Sequence, residues 1–158
     1  MAFQYKNVYW LWISAAVIVL DQITKQLVVK HFEWFDVAPV FAGFNLVRLH
    51  NTGAAFSMFS GASPLFFVAL GVAFSLGVLW WLRKNPLGQT RIAIAFSLIL
   101  GGALGNVIDR ATRGYVVDFL DFYYAGWHYP AFNVADSAIT IGAGLLLLDM
   151  FLEWRRRA

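Results

Sequence analysis
The chain has 158 residues, of which 60% are hydrophobic, 18% aromatic and only 13% charged, with a mean hydropathy of +0.64. That is far more apolar than a water-soluble domain needs to build one core, so lipid must serve as solvent for much of it. The net charge of +3 does not indicate a nucleic-acid partner, because most basic residues sit beside apolar runs rather than along a soluble stripe. The absence of cysteine excludes structural disulfides, a thiolate nucleophile and the commonest zinc frameworks.

Four membrane spans of about 20 residues each would use half of the chain, so one integral membrane domain, 1–158, is expected. Val8 to Leu20 is free of charge and its helical pattern continues through Asp21 and Lys25, giving a first span over about 8–27. Lys6 and the apolar run after it also resemble a secretory leader, but Asp21-Gln22 stands where a small-residue cleavage motif belongs. Phe44 to Leu49 alternates like a short strand. Ser63-Pro64 reads as a cap and first-turn pair opening a second span over 64–82, closed by Arg83-Lys84 and the breakers Asn85-Pro86. The third span covers 92–108. A second strand is expected within Gly114 to Phe122, and the fourth span, interrupted by Asp136 and Asp149, covers about 133–152. The fold class is thus an all-α membrane protein of four transmembrane helices with a small β-rich cap.

Seven of the twelve basic residues, Lys6, Arg83, Lys84, Arg91, Arg155, Arg156 and Arg157, fall outside alternate ends of these spans. The positive-inside rule then puts both termini in the cytoplasm and the cap, with the acids near it, on the outer side.

Ionisable groups within a span are costly and each needs a reason. Asp21 and Lys25, four apart, can neutralise each other on one helix face. Asp109, beside Arg110 and three residues after Asn106, reads as a polar clasp between helices. Asp136 and Asp118 have no adjacent cation; apolar surroundings raise a carboxyl pKa, and two such groups together hold one proton between them, as acid and base catalysis requires. Read from the residues alone, Asp121 competes with Asp118, and Asp136 reads equally well as a helix cap. Asp149 lies about 20 Å of helix from Asp136. His31, His50 and His128 lack metal-ligand spacing, so no metal and no cofactor is expected. Gly101, Gly102 and Gly105 allow close helix approach. Two rival classes are a small transporter or proton relay, whose acids should continue across the membrane, and a non-enzymatic assembly factor, whose polar residues would only join helices.

Five stretches together resemble one family, the lipoprotein signal peptidases, or signal peptidase II: Leu20 to Lys25, Asn51 to Ser57, Gly101 to Arg110, Val116 to Phe119 and Phe132 to Asp136. The resemblance implies an aspartyl endopeptidase of the bacterial inner membrane; no cofactor is required, and the chain is expected to work as a monomer. Its partners are membrane lipid and diacylglyceryl-modified prolipoproteins, which it cuts before the lipidated cysteine. It implies Asp118 and Asp136 as the catalytic pair. It also sets Asn51, Asn106, Asp109, Arg110 and Asn133 around the substrate pocket, with Asp21 and Lys25 close by.

Overall fold
The computed structural model describes residues 8–53, 62–84 and 88–157. Lys6, the Ala54 to Ser57 part of one motif, and Asn85-Pro86 lie outside the described residues. In chain order the elements are a 3-10 turn, Val8–Trp10, α1 (Leu11–His31), β1 (Val37–Phe41), β2 (Phe44–Asn51), α2 (Pro64–Lys84), α3 (Thr90–Arg113), β3 (Val116–Tyr124), β4 (Trp127–His128) and α4 (Val134–Arg157). All four α-helices are long and apolar enough to cross a membrane.

α3 is the central post, packing against α1, α2 and α4. Its sequence explains why: Ala93, Ala95, Ser97, Gly101, Gly102 and Gly105 are small and buried, so neighbouring backbones come close. At Gly102 an added Cβ would lie 2.3 Å from the Ala135 carbonyl oxygen of α4. α1 buries Ser14, Val17, Asp21, Lys25 and Val28, one stripe at helical spacing, and turns Val19, Leu20, Ile23 and Leu27 outward. The polarity is inverted relative to a soluble bundle, with charges inside and leucine outside, as lipid as solvent demands.

The helices run beyond the hydropathic spans, α1 by four residues to His31 and α3 by five to Arg113. Hydropathy falls at Lys30-His31 and at Asp109, but backbone bonding continues there, and basic residues in a last turn suit the helix dipole. Ser63 accepts the Phe66 N–H at 3.3 Å ahead of Pro64, the anticipated cap of α2.

The sheet sits at the end of the bundle where α1 and α3 stop and α2 and α4 begin. Its order is β1-β2-β3-β4, antiparallel throughout. The two expected strands are its middle pair. β1, which contains Pro39, and the two-residue β4 were not anticipated. Val117 and Phe119 of β3 pack on Val28 of α1, and that contact fixes the sheet to the bundle.

Candidate active site
The polar residues converge where the sheet meets the helices. α3 ends at Gly114, which takes the left-handed conformation (φ +81°) that glycine tolerates, and the chain turns directly into β3. Asp118 lies two residues into that strand and is 3% exposed. Asp136 lies in the first turn of α4. Asn133, fully buried just before the helix, joins them. Its Oδ1 accepts the Asp136 N–H at 2.9 Å, and Asp136 Oδ2 accepts the Asn133 N–H at 3.3 Å, a reciprocal helix cap. The Asn133 amide donates to Asp118 Oδ1 at 2.7 Å.

Two further amides complete the pattern. Asn51, at the end of β2, donates to Asp118 Oδ2 at 2.9 Å while its own oxygen accepts the Gly53 N–H. Asn106 of α3 donates to Asp136 Oδ1 at 2.8 Å. Every carboxylate oxygen of the two acids therefore faces a donor. Burial, and after it the negative charge of Asp136, pushes the Asp118 carboxyl up to about 7, against the pull of the Asn51 and Asn133 amides and of Lys25.

Both acids open on a cavity of about 1270 Å³. Its polar end holds Asn51, Asn106, Arg110, Asp118 and Asp136; the remainder is lined by apolar side chains such as Phe67, Leu70 and Phe74 of α2 and Ile139 and Ile141 of α4. α2 packs mainly on α3, and Leu70 and Ile141 are 58% and 57% exposed, so the cavity opens sideways between α2 and α4. Arg110 closes one edge: its guanidinium donates to the Gly53 carbonyl at 2.5 Å and lies 4.6 Å from the Phe67 ring centre.

The polar clasp between helices anticipated at Asp109 is formed, with Lys25 of α1, but its chain neighbour Arg110 is not the cation that pairs with it. Adjacent helical residues do not face each other. Asp109 pairs instead with Arg113, four residues on, and with Lys25 at 2.9 Å. Asp121 is occupied on its own account, accepting from Asn45 at 2.8 Å, with His128 Nδ1 also at 2.8 Å. Asp149 pairs with Arg91 at 3.0 Å, at the far end of the bundle. Among the described residues no group of three or more His, Cys, Asp or Glu side chains is arranged to hold a metal. His50 is stacked between Trp34 and Tyr115, and burial, then Arg48, pull its pKa below the ordinary value.

The family model for signal peptidase II matches residues 13–152. The chain belongs to the signal peptidase II family. It is 48% identical over 152 residues to a lipoprotein signal peptidase of Alteromonas mediterranea, covering 94% of this chain and 84% of that one. It is 47% identical over 155 residues to the lipoprotein signal peptidase of Haemophilus ducreyi, covering 96% of each. A solved structure described as a bacterial membrane enzyme superposes with a TM-score of 0.89 at 30% identity, covering 100% of this chain and 96% of that one. A second, also described as a bacterial membrane enzyme, gives 0.82 at 32% identity, covering 95% and 97%.

In this member of the family the residues that the resemblance set around the pocket fall into two shells. Asn51, Asn106 and Arg110 line the cavity with the two acids, and Asn133 bridges those acids from within the wall. Asp21, Lys25 and Asp109 lie behind the wall, each fully buried. Gln22, which sequence reasoning passed over, joins that inner cluster through its amide, 3.2 Å from both Asp21 and Asp109.

Proposed function
We propose that Asp118 and Asp136 are the catalytic pair with which this chain cuts lipid-modified prolipoproteins before the diacylglyceryl-cysteine. As a member of its family the chain is a membrane protease that removes signal peptides from prolipoproteins. The observation that carries the assignment to residues is the shared cavity, in which one buried asparagine caps Asp136 and donates to Asp118. Burial, and after it the negative charge of Asp136, raise Asp118, so in this reading Asp118 holds the proton of the pair and Asp136 is its ionised partner.

The chemistry follows from that division. Ionised Asp136 takes a proton from a water held between the acids, and the hydroxide formed attacks the scissile carbonyl. Protonated Asp118 donates to the developing oxyanion. When the carbon–nitrogen bond breaks, a proton passes from the pair to the departing cysteine amine and the carboxylic acid product remains. Asn51, which lines the cavity beside Asp118, is the amide assigned to an extended substrate backbone, and the apolar reach between α2 and α4 suits the acyl chains. The enzyme acts as a monomer, with its site on the outer side and both termini in the cytoplasm.

Asp118→Asn and Asp136→Asn, purified in detergent and assayed on a lipid-modified precursor, should each abolish turnover, and the double variant should be scarcely worse than either. Asp121→Asn, which alters a carboxyl bonded elsewhere, should keep most activity. Cleavage persisting in either of the first two refutes the pair.

A further inference from the structure
Behind the cavity wall lies a buried cation that touches neither solvent nor the cavity. Lys25 of α1 is 0% exposed and is absent from the cavity lining. An ammonium has three donors and no acceptor. All three are used, on Asp21 Oδ2 at 2.8 Å, Asp109 Oδ2 at 2.9 Å and Asn106 Oδ1 at 3.0 Å. With Arg113 also on Asp109, two cations face two carboxylates, and the cluster is neutral without the catalytic acids.

Each of the three contacts leads to the acids by a separate route. The second oxygen of Asp21 accepts the Ala135 N–H at 2.9 Å, and Asp109 Oδ2 accepts the Val117 N–H at 3.2 Å. These are the residues immediately before Asp136 and Asp118. The carboxylates that clamp Lys25 thus also hold the backbones of α4 and β3 one step ahead of each acid. The third contact fixes an orientation. A carboxamide has an oxygen end and a nitrogen end of nearly equal size, and either can face a neighbour. Since Lys25 has nothing to accept with, it holds the Asn106 oxygen, and the Asn106 nitrogen is left for Asp136 Oδ1 at 2.8 Å. Gly105 makes room for this, because a Cβ there would meet Asp21 Oδ2 at 2.6 Å.

We infer that Lys25 is the positioning residue of the pair: through Asn106 it orients the donor on Asp136, and through Asp21 and Asp109 it sets the spacing between the two catalytic segments. The inference rests on Asp118 and Asp136 being the catalytic pair. Substrate contact is not part of this role, so loss of Lys25 lowers kcat and leaves KM nearly unchanged.

The groups that face Lys25 are Asp21 on its own helix and Asn106 and Asp109 on α3, with Arg113 beyond Asp109, Asp118 on β3 and Asp136 on α4. Lys25→Met alone leaves an unbalanced carboxylate and is liable to misfold. The informative variant is therefore the charge-balanced Asp21→Asn/Lys25→Met, purified and assayed per folded molecule on a lipid-modified precursor. The expected result is a fall in kcat of about 10- to 100-fold with KM changed by less than about threefold. Adding Asn106→Ala to that variant should cost clearly less than Asn106→Ala costs in the parent, because Lys25 works in part through Asn106.

Should the double variant give no folded protein, Lys25→Arg keeps the charge but replaces a point donor with a planar fork, and the same fall in kcat is expected. Parental kcat per molecule in these variants would mean that charge balance alone matters and would overturn the inference. So would a rise in KM at constant kcat, or a full additional loss on adding Asn106→Ala. Asp136→Asn assayed in parallel separates the two claims. If it turns over substrate, the catalytic pair itself is misassigned; if it is inactive while the Lys25 variants are normal, only the role of Lys25 fails.

Discussion

Replacing Asn133 with serine separates the two tasks of this side chain. Serine retains an oxygen able to cap the Asp136 N–H, but it is too short to reach Asp118 Oδ1, which now receives the Asn133 amide at 2.7 Å. A hydrogen bond to an ionised carboxylate is worth about 1.5–3 kcal/mol, and about 1.4 kcal/mol corresponds to one pKa unit. The donor favours the charged form, so its loss favours the protonated one. Asp118, already pushed up to about 7, should then titrate about one to two units higher. The active form carries its proton on Asp118 and vanishes as pH rises through that value. The alkaline limb of kcat/KM, which reports the free enzyme, is expected near 7 in the parent and displaced upward in Asn133→Ser. Turnover at the plateau should also fall, since the Asp118 carboxyl loses one of its two amide anchors. The assay is the pH profile for cleavage of a lipid-modified precursor, with thermal melting of each protein to verify folding. An alkaline limb that stays in place, or moves downward, in a folded variant refutes the reasoning.

Two further predictions concern the scaffold. Reporter fusions after Lys84 and after Arg157 should mark cytoplasm and a fusion near Trp127 the outer side, from the basic residues at alternate helix ends; a cytoplasmic Trp127 would end the proposed topology. Gly102→Ala should destabilise by about 1–3 kcal/mol, because its Cβ would meet the Ala135 carbonyl oxygen at 2.3 Å and Ile139 at 2.7 Å. Gly144→Ala, with nothing within 4 Å of the new atom, should be neutral or stabilising by up to about 1 kcal/mol. Equal melting temperatures for these two glycine variants would contradict the close approach of α3 and α4.

The four helices were legible because lipid imposes length and charge rules that composition alone reveals. Their ends were less so. Hydropathy stops at the first buried charge, whereas the helix continues as long as its backbone is bonded, and in α3 the last five residues are the ones that carry Asp109, Arg110 and Arg113. Strand geometry held more than was read from it. Asp118 and Asp121 are three apart on β3, so alternation sends them to opposite faces, and parity alone separates the acid in the cavity from the one bonded to Asn45. Helix geometry likewise favoured Arg113 over Arg110 as the partner of Asp109. The Lys25 contacts with Asn106 and Asp109 could not be read, since they join residues more than 80 positions apart and no local spacing encodes them. β1 was missed because its five residues include Pro39 and are mostly exposed, so neither alternation nor burial marks it.

The sideways opening between α2 and α4 has a kinetic corollary. A precursor anchored by its acyl chains arrives by diffusion within the plane of the bilayer, so the concentration that governs turnover is molecules per unit of membrane area rather than per volume of buffer. Adding bare lipid or detergent at fixed amounts of enzyme and precursor spreads both over a larger surface and slows cleavage, while adding water leaves the rate unchanged. Saturation curves for this enzyme therefore acquire a physical meaning only when substrate is expressed as a mole fraction of the amphiphile that carries it.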